Sequence, residues 1–279
     1  VLSVIIVSYN TRVLTLRLLE SLHEHVSTTA PEILVVDNRS RDGSAQAIAR
    51  FFPEVRLIKL DRNIGFGAAV NLAVDEARGD YIWLLNSDCH LTGNPIEQIL
   101  DYLKSNTQVA AVAGRLIDRN GSFQASCRRF PTFRNILFSR QSPLAPFDSV
   151  GSAYTLPDYE ITTSVESCSG TNTVIRKDRF QAVGGFDERF FMYCEDTDLC
   201  RRFADAGWGI VFMPGESVVH GWAESWRGDE LLRYYHHHRS FIRYFAKHFQ
   251  CKPVAVELLE LFMIVSLGIR IAVSKLRWK

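Results

Sequence analysis

The chemistry-bearing residues of this chain are carboxylates and imidazoles set at the ends of apolar runs. Asp88, Cys89 and His90 follow YIWLLN. Positions i and i+2 of an extended segment point the same way, so Asp88 and His90 can chelate one ion. Oxygen and imidazole ligands on a strand end suit a hard divalent cation, Mg²⁺ or Mn²⁺, acting as a Lewis acid on a departing diphosphate. His220, after ESVV, can supply a third protein ligand. The competing account is a turn aspartate with structural or surface histidines.

Other segments carry related chemistry. Asp37 closes the buried run EILVVD, where a carboxylate can accept hydrogen bonds from a base N–H or from ribose hydroxyls. Asp42 and Ser44 beside it suit a helix N-cap. Gly65 and Gly67, in NIGFGAAVN, permit backbone approach to a ligand ahead of a helix whose N-terminus favours anions. A plain tight turn is the alternative. The spacing is not that of a dinucleotide fingerprint and the segment follows a third strand, which argues against NAD. Five acidic residues (Asp187, Glu188, Glu195, Asp196, Asp198) fall within twelve positions, interleaved with Phe190, Phe191, Met192 and Tyr193. Carboxylates beside apolar groups and beside each other have raised pKa values, which suits a general base. A charged helix N-terminus accounts for some of them.

The elements that must position these groups alternate strand and helix. VLSVIIVS, EILVVD, VRLIKL and YIWLLN read as strands, with helices over 11–26, from about 42, and from 67 to about 77. Such spacing implies βαβ crossovers and a mostly parallel α/β sheet, which binds ligands at the carboxyl ends of its strands. Ser8, Tyr9, Asn10, Asp37, Asn38, Asn86, Ser87 and Asp88 all fall at such ends. Residues 115–166 lose periodicity and read as loop-rich. CSGTNTVI and WGIVFMP read as further strands, 195–206 and 229–249 as helices, and a last helix begins near Pro253.

Thirty-two basic against thirty-one acidic residues leave a net charge of +1, without the basic excess of a nucleic-acid binder. The six cysteines are scattered without a CxxC pair, as reduced thiols of a cytoplasmic protein. Val1–Asn10 reads as a first strand, not a signal peptide.

Taken in order, VSYN, VVDNRSRDGS, NIGFGAAVN, LLNSD, VGGFDERFFMYCEDTDLCRR and HGWAES resemble the family 2 glycosyltransferases of GT-A fold, in particular the bacterial rhamnosyltransferase-like branch. The resemblance covers about residues 1–250, expected to form the catalytic domain. It implies an inverting, metal-assisted transfer from a dTDP- or UDP-sugar to a saccharide hydroxyl in surface polysaccharide synthesis, with dTDP-L-rhamnose ahead of a UDP-hexose. It implies that Asp37 meets the base or ribose, that Ser8, Asn10 and Asn71 line the donor pocket, and that Asp88 binds the metal. His90 stands where the family's motif has a second aspartate, which bears on the preferred ion. Asp196 would be the catalytic base, with Glu195 second. Gly170, Thr171, Asn172 and Arg176 are expected near the donor sugar or acceptor. A non-catalytic saccharide-binding module and a sugar nucleotidyltransferase are the competing readings; the second lacks its glycine-rich basic loop after strand one.

Near the C-terminus, LFMIVSLGI spans nine residues, a helix of ~14 Å against a ~30 Å hydrocarbon core, so it does not cross a bilayer. With Arg270, Lys275, Arg277 and Lys279 following, residues 251–279 can form an amphipathic helix on an anionic membrane, at the inner face of the plasma membrane. A polyprenyl-diphosphate-linked acceptor would explain such a tail. A helix packed on the domain or on another subunit is the alternative.

Overall fold

Strand β1 (Leu2–Ser8) is buried on both faces: Val4 and Ile6 enter one core and Ile5 the other. This explains an apolar run without alternation. The computed structural model describes residues 1–26, 30–134, 159–221 and 230–249, with scattered positions between 257 and 268. β2 (Glu32–Asp37) and β4 (Tyr81–Asn86) flank β1 in parallel, and β3 (Arg56–Lys59) extends the sheet beyond β2. The connections are α1 (Arg12–His25), α2 (Ser44–Phe51) and α3 (Phe66–Glu76). Leu18, Leu19 and Leu22 of α1 and Ile48 of α2 pack with Val4 on one face; Ala69, Val70 and Ala73 of α3 pack with Ile5 on the other.

The register aligns the carboxyl ends of three strands. Ser8 sits beside Asp37, and Val7 beside Asn86. Polar residues distant in sequence therefore share one sheet edge, the edge at which open parallel sheets bind ligands.

Beyond β4 the sheet continues in the order β11, β6, β12, β5. β11 (Asn172–Arg176) is antiparallel to both β4 and β6 (Val109–Ile117). β12 (Gly209–His220) is parallel to β6 and antiparallel to β5 (Cys89–Leu91). The expected α/β sheet thus forms, with β11 and β5 running against its main direction. WGIVFMP and the strand-like ESVV are parts of one strand. Its register shifts between Met213 and Val218, around Pro214, which has no N–H to give the ladder.

α4 (Ile96–Ser105) joins the core of α1 and α2 through Ile96, Ile99 and Leu103, and α6 (Glu195–Asp205) joins the opposite core through Leu199 and Phe203. α5 (Lys177–Ala182) follows β11. Short strands fill the region read as loop-rich: β7 (Phe123–Gln124), β8 (Cys127–Arg128), β9 (Thr163–Val165) and β10 (Ser167–Cys168). α7 (Glu230–His248) adds a third apolar cluster, in which Tyr244 and Phe245 meet Phe190 and Cys194.

Candidate active site

Asp37 ends β2 at 3% exposure. Its Oδ1 accepts from the Ser40 N–H at 2.9 Å, while Oδ2 is buried with no hydrogen-bond partner among the described residues. Leaving a buried acceptor so costs about 1–3 kcal/mol, a cost that an arriving N–H or O–H removes. Asn10, in the left-handed region (φ 56°), accepts from the Arg41 N–H at 2.7 Å, and its own N–H donates to Ser40 Oγ at 2.9 Å. The loops after β1 and β2 are thereby clasped together, with Tyr9 exposed at the rim. Ser8 is fully buried and shares its hydroxyl with Thr11 and Thr15, each at 3.1 Å. This corrects the expectation that its side chain lines the pocket.

Asn38 is a strap: its amide donates to Gly65 O at 3.1 Å and accepts from the Ile64 N–H at 2.9 Å. The close approach that the glycines permit is to the acidic-aromatic segment. Gly65 has φ 90°, and a Cβ there would stand 2.4 Å from Phe191 O, which accepts from the Phe66 N–H at 3.1 Å. A Cβ on Gly67 would meet Phe186 Cβ at 2.9 Å and Glu195 Cβ at 3.7 Å. Asn71 binds both polar groups of one residue, donating to Phe186 O at 2.9 Å and accepting from the Phe186 N–H at 2.8 Å. It holds the segment in place, which corrects its assignment to the donor pocket.

Asp88 follows β4 at 4% exposure, and its Oδ1 lies 3.3 Å from Nε2 of His220 at the end of β12. Gln124 fixes that imidazole. Its Nε2 donates to His220 O at 3.0 Å, so the amide oxygen faces His220 Nδ1 at 2.9 Å. This amide favours a proton on Nδ1, which in the neutral ring turns the Nε2 lone pair toward the Asp88 carboxylate. A carboxylate oxygen and an imidazole lone pair turned toward each other fit a divalent cation that also takes substrate phosphate oxygens. His90 is not brought to this pair. It lies opposite Val219, whereas His220 lies opposite Cys89, so alternation sends the His90 ring to the other face. Burial lowers its pKa, with Arg119 and Arg17 adding to the effect. Among the described residues no group of three ligand side chains gathers, and the expected set of Asp88, His90 and His220 is corrected to Asp88 and His220. Neither β7, which carries Gln124, nor Gln124 itself had a signal in the sequence.

The acidic segment divides by its partners. Asp198 is fully buried and meets Lys247 at 2.6 Å, His248 at 2.7 Å and Arg202 at 2.8 Å; Asp187 meets Lys247 at 2.8 Å and also Arg189. These cations hold both carboxyls below their usual range against the opposing effect of burial. Glu195 is 7% exposed, and its Oε2 has no hydrogen-bond partner among the described residues. Burial first and the Asp196 charge second push its carboxyl well above the usual range. Burial also raises the half-buried Asp196, but donors oppose it: the Thr197 N–H at 2.6 Å, the Thr197 hydroxyl at 3.2 Å and the Gly170 N–H, with Arg128 nearby. Different surroundings thus divide the pair: no donor offsets burial at Glu195 Oε2, whereas Asp196 has three opposing donors.

One short turn ties the two halves of the site. Gly170 donates to Asp196, while Thr171 accepts from both the backbone N–H and the side-chain amide of Asn86, each at 3.2 Å, two residues before Asp88. Ser87 between them is buried. Asn172 instead accepts from the Trp83 indole at 2.9 Å inside the sheet. Arg176 lies opposite Tyr81, at the far edge, where its guanidinium donates to the carbonyls of Val109 and Leu103. An antiparallel β11 carries it away from the site, so the expected ligand roles of Asn172 and Arg176 are corrected to structural ones.

Comparison with known proteins agrees with this fold. Residues 3–184 match the profile of Glycosyl transferase family 2, and residues 152–221 match the N-terminal domain of galactosyltransferase. The N-acetylglucosaminyl-diphospho-decaprenol L-rhamnosyltransferase of Mycobacterium tuberculosis is 33% identical over 254 residues, covering 86% of this chain and 82% of that protein. Rhamnosyltransferase WbbL of Escherichia coli is 28% identical over 66% of this chain and 70% of its own length. A structure of the Pyrobaculum calidifontis mannosyltransferase PcManGT with GDP-Man and Mn²⁺ superposes with a TM-score of 0.61 at 18% identity, over 98% of this chain and 74% of that one. GalNAc-T7 with UDP, GalNAc and Mn²⁺ gives 0.62 at 14% identity, over 88% of this chain but only 47% of the other. The fold is therefore that of the GT-A glycosyltransferases, and the chain belongs to Glycosyl transferase family 2.

Proposed function

We propose that the chain is an inverting rhamnosyltransferase that moves L-rhamnose from dTDP-L-rhamnose to a hydroxyl of a diphosphate-polyprenol-linked saccharide, in cell-surface polysaccharide synthesis. The observation that carries this reading is the division of the Glu195–Asp196 pair. Asp196 is the carboxyl whose charge several donors support, which suits it to take a proton, and it is tied through Gly170 and Thr171 to the strand end bearing Asp88. In a single displacement the acceptor oxygen attacks the anomeric carbon and its proton passes to Asp196. The bond from that carbon to the diphosphate oxygen breaks with its electron pair on the leaving nucleotide. Asp37 Oδ2 accepts a donor from the base or ribose. Asp88 and His220 would hold Mg²⁺ or Mn²⁺, which when bound offsets the charge of the leaving diphosphate. The sugar follows the two rhamnosyltransferases above, and the lipid-linked acceptor follows the one from Mycobacterium tuberculosis.

The decisive experiment incubates the protein with dTDP-rhamnose, UDP-glucose, UDP-N-acetylglucosamine or GDP-mannose and an acceptor N-acetylglucosaminyl diphosphate on a short prenyl chain. Product is expected from dTDP-rhamnose. Transfer from a UDP-hexose alone would replace the donor assignment, and binding without transfer or nucleotide release would indicate a saccharide-binding module.

The same reading places residues 251–279 against an anionic bilayer on the cytoplasmic side. Among the described residues no helix is long and apolar enough to cross a membrane. Leu258, Leu261, Ile264 and Val265, at helical positions three and four apart, are more than half exposed, and Arg270, Lys275, Arg277 and Lys279 follow in the sequence. Sedimentation with phosphatidylglycerol vesicles, lost on truncation after Phe249, is the expected result; equal sedimentation of both forms would refute it.

A further inference from the structure

The turn that leads into Glu195 and Asp196 is built from residues that disfavour its shape. Tyr193 and Cys194 lie at φ 70° and 63°, in the left-handed region that a side chain with a Cβ rarely adopts. Such a conformation persists only where its surroundings over-determine it. Two elements distant in sequence do so here, through consecutive carbonyls. Phe191 O accepts from the Phe66 N–H of the glycine loop at 3.1 Å, and Met192 O accepts from the Ser240 hydroxyl of α7 at 2.8 Å. Ser240 is buried, so water competes little for that bond. α7 also supplies packing. The Phe191 ring stacks on His236 with centroids 4.7 Å apart, and the Tyr193 ring meets His237 edge-on at 5.4 Å. Cys194 is buried with Phe190, Tyr244 and Phe245, and its carbonyl accepts from the Asp198 N–H at 2.8 Å as α6 begins. The direction in which α6 starts, and with it the aim of Asp196, follows from two left-handed residues that α7 holds.

We infer that Ser240 is a positioning residue for the transfer step: its bond to Met192 O keeps Tyr193 and Cys194 left-handed and so aims the Asp196 carboxylate at the acceptor hydroxyl. This rests on the reading of Asp196 as the base and carries it from the sheet edge to α7. Ser240 acts through the backbone of Met192 and not on the substrate. Without its hydroxyl the turn loses the α7-side anchor. Tyr193 and Cys194 can then relax toward right-handed or extended backbone, which re-aims the first turn of α6. The other anchor, Phe191 O to the Phe66 N–H, does not depend on Ser240, so the glycine loop on the donor side stays in place.

The test measures kcat and the donor and acceptor KM of wild type, S240A, D196N and S240A/D196N, with dTDP-rhamnose and the prenyl diphosphate acceptor. Nucleotide titration gives donor affinity separately. S240A is expected to keep donor affinity and donor KM while kcat falls by up to about 10²-fold, which a misplacement of about 1 Å can cost. Because Ser240 acts through Asp196, the two losses should not multiply, and kcat of the double variant should stay near that of D196N. A residue that only stabilised the fold would give independent losses. Wild-type kcat in S240A, losses that multiply in the double variant, or a weakened donor affinity would each overturn the assignment. D196N turning over at the wild-type rate, or a wild-type protein that transfers nothing, would instead remove the underlying reading, whatever S240A does.

Discussion

His220 Nε2 and Asp88 Oδ1 lie 3.3 Å apart, longer than a charge-assisted hydrogen bond, while the opposite ring nitrogen of His220 is held by Gln124 at 2.9 Å. The amide of Gln124 also binds the carbonyl of the same histidine, so one side chain sets both the place and the tautomer of the ring. Groups that orient a metal-binding histidine typically contribute about 10–100-fold in metal affinity. Q124L should therefore weaken Mn²⁺ binding by about that factor, measured by titration with electron paramagnetic resonance of the free ion. Activity of Q124L should recover as Mn²⁺ is raised. An unchanged affinity in a folded variant would remove Gln124 from this role.

The Glu195–Asp196 pair predicts unequal consequences for two isosteric changes. Asp196→Asn should lower turnover by about 10²–10⁴-fold while retaining donor affinity, since the anion takes part in proton transfer. Glu195→Gln replaces the carboxyl whose charge burial disfavours more strongly and should cost far less. Because burial raises the Asp196 carboxyl, the acidic limb of kcat/KM should lie above the ordinary aspartate value. Equal losses in the two variants would mean that the pair is not divided, and a larger loss in Glu195→Gln that it is assigned the wrong way round.

Glu195 also sets a pH dependence of stability. Unfolded, a glutamate ionises near about pH 4.3. Folded, Glu195 keeps its proton to higher pH, because burial and then Asp196 disfavour its charge. Between those two values the folded chain binds more protons than the unfolded one, so this residue's contribution to stability declines as pH rises. Thermal unfolding of Glu195→Gln should gain on the wild-type protein progressively from about pH 4.3 upward. A difference that is flat with pH would contradict the raised carboxyl.

Asp37 and Asp88 stand out in the sequence because each is a carboxylate at or just past the end of an apolar run, and the structure buries both. The sequence misled at His90 and Arg176 for a geometric reason. β5 begins only at Cys89, so Asp88 lies in the preceding turn and i, i+2 parity does not apply. The direction of β11 cannot be read from NTVIR, yet that direction decides which edge Arg176 reaches. β6 carries little strand signal because VAAVAGRLI is rich in alanine and glycine. The sequence leaves the glycine loop open between a ligand approach and a plain tight turn, whereas the neighbour of Gly65 is Phe191, more than a hundred residues later. Local spacing carries no information on such pairings.

Gly65→Ala tests that pairing. The added Cβ would stand 2.4 Å from Phe191 O at a backbone φ of 90°. Left-handed strain alone costs about 1–3 kcal/mol, and the backbone contact adds to it. The substitution should lower the unfolding free energy by at least about that amount and weaken donor binding as the 186–195 segment shifts. Urea denaturation and nucleotide titration measure the two effects. A neutral outcome would show that the loop and segment are not in register.

Asp198 holds that segment to α7. Its fully buried carboxylate binds Lys247, His248 and Arg202, and Ser240 donates to Met192 O at 2.8 Å nearby. Asp198→Asn removes the anion but leaves the cations gathered around a neutral amide, and unpairing a buried ion typically costs about 3–5 kcal/mol. Unfolding in urea should show a loss of that order near neutral pH. Since these partners hold the Asp198 carboxyl below its usual range, its stabilisation is present above the unfolded aspartate value and is lost as pH falls through the folded one. The gap between wild type and Asp198→Asn should therefore close in acid. A gap that stays constant down to about pH 3, near the lower limit of unfolded carboxyl titration, would argue that the carboxylate is not the group fastening α7 to the site.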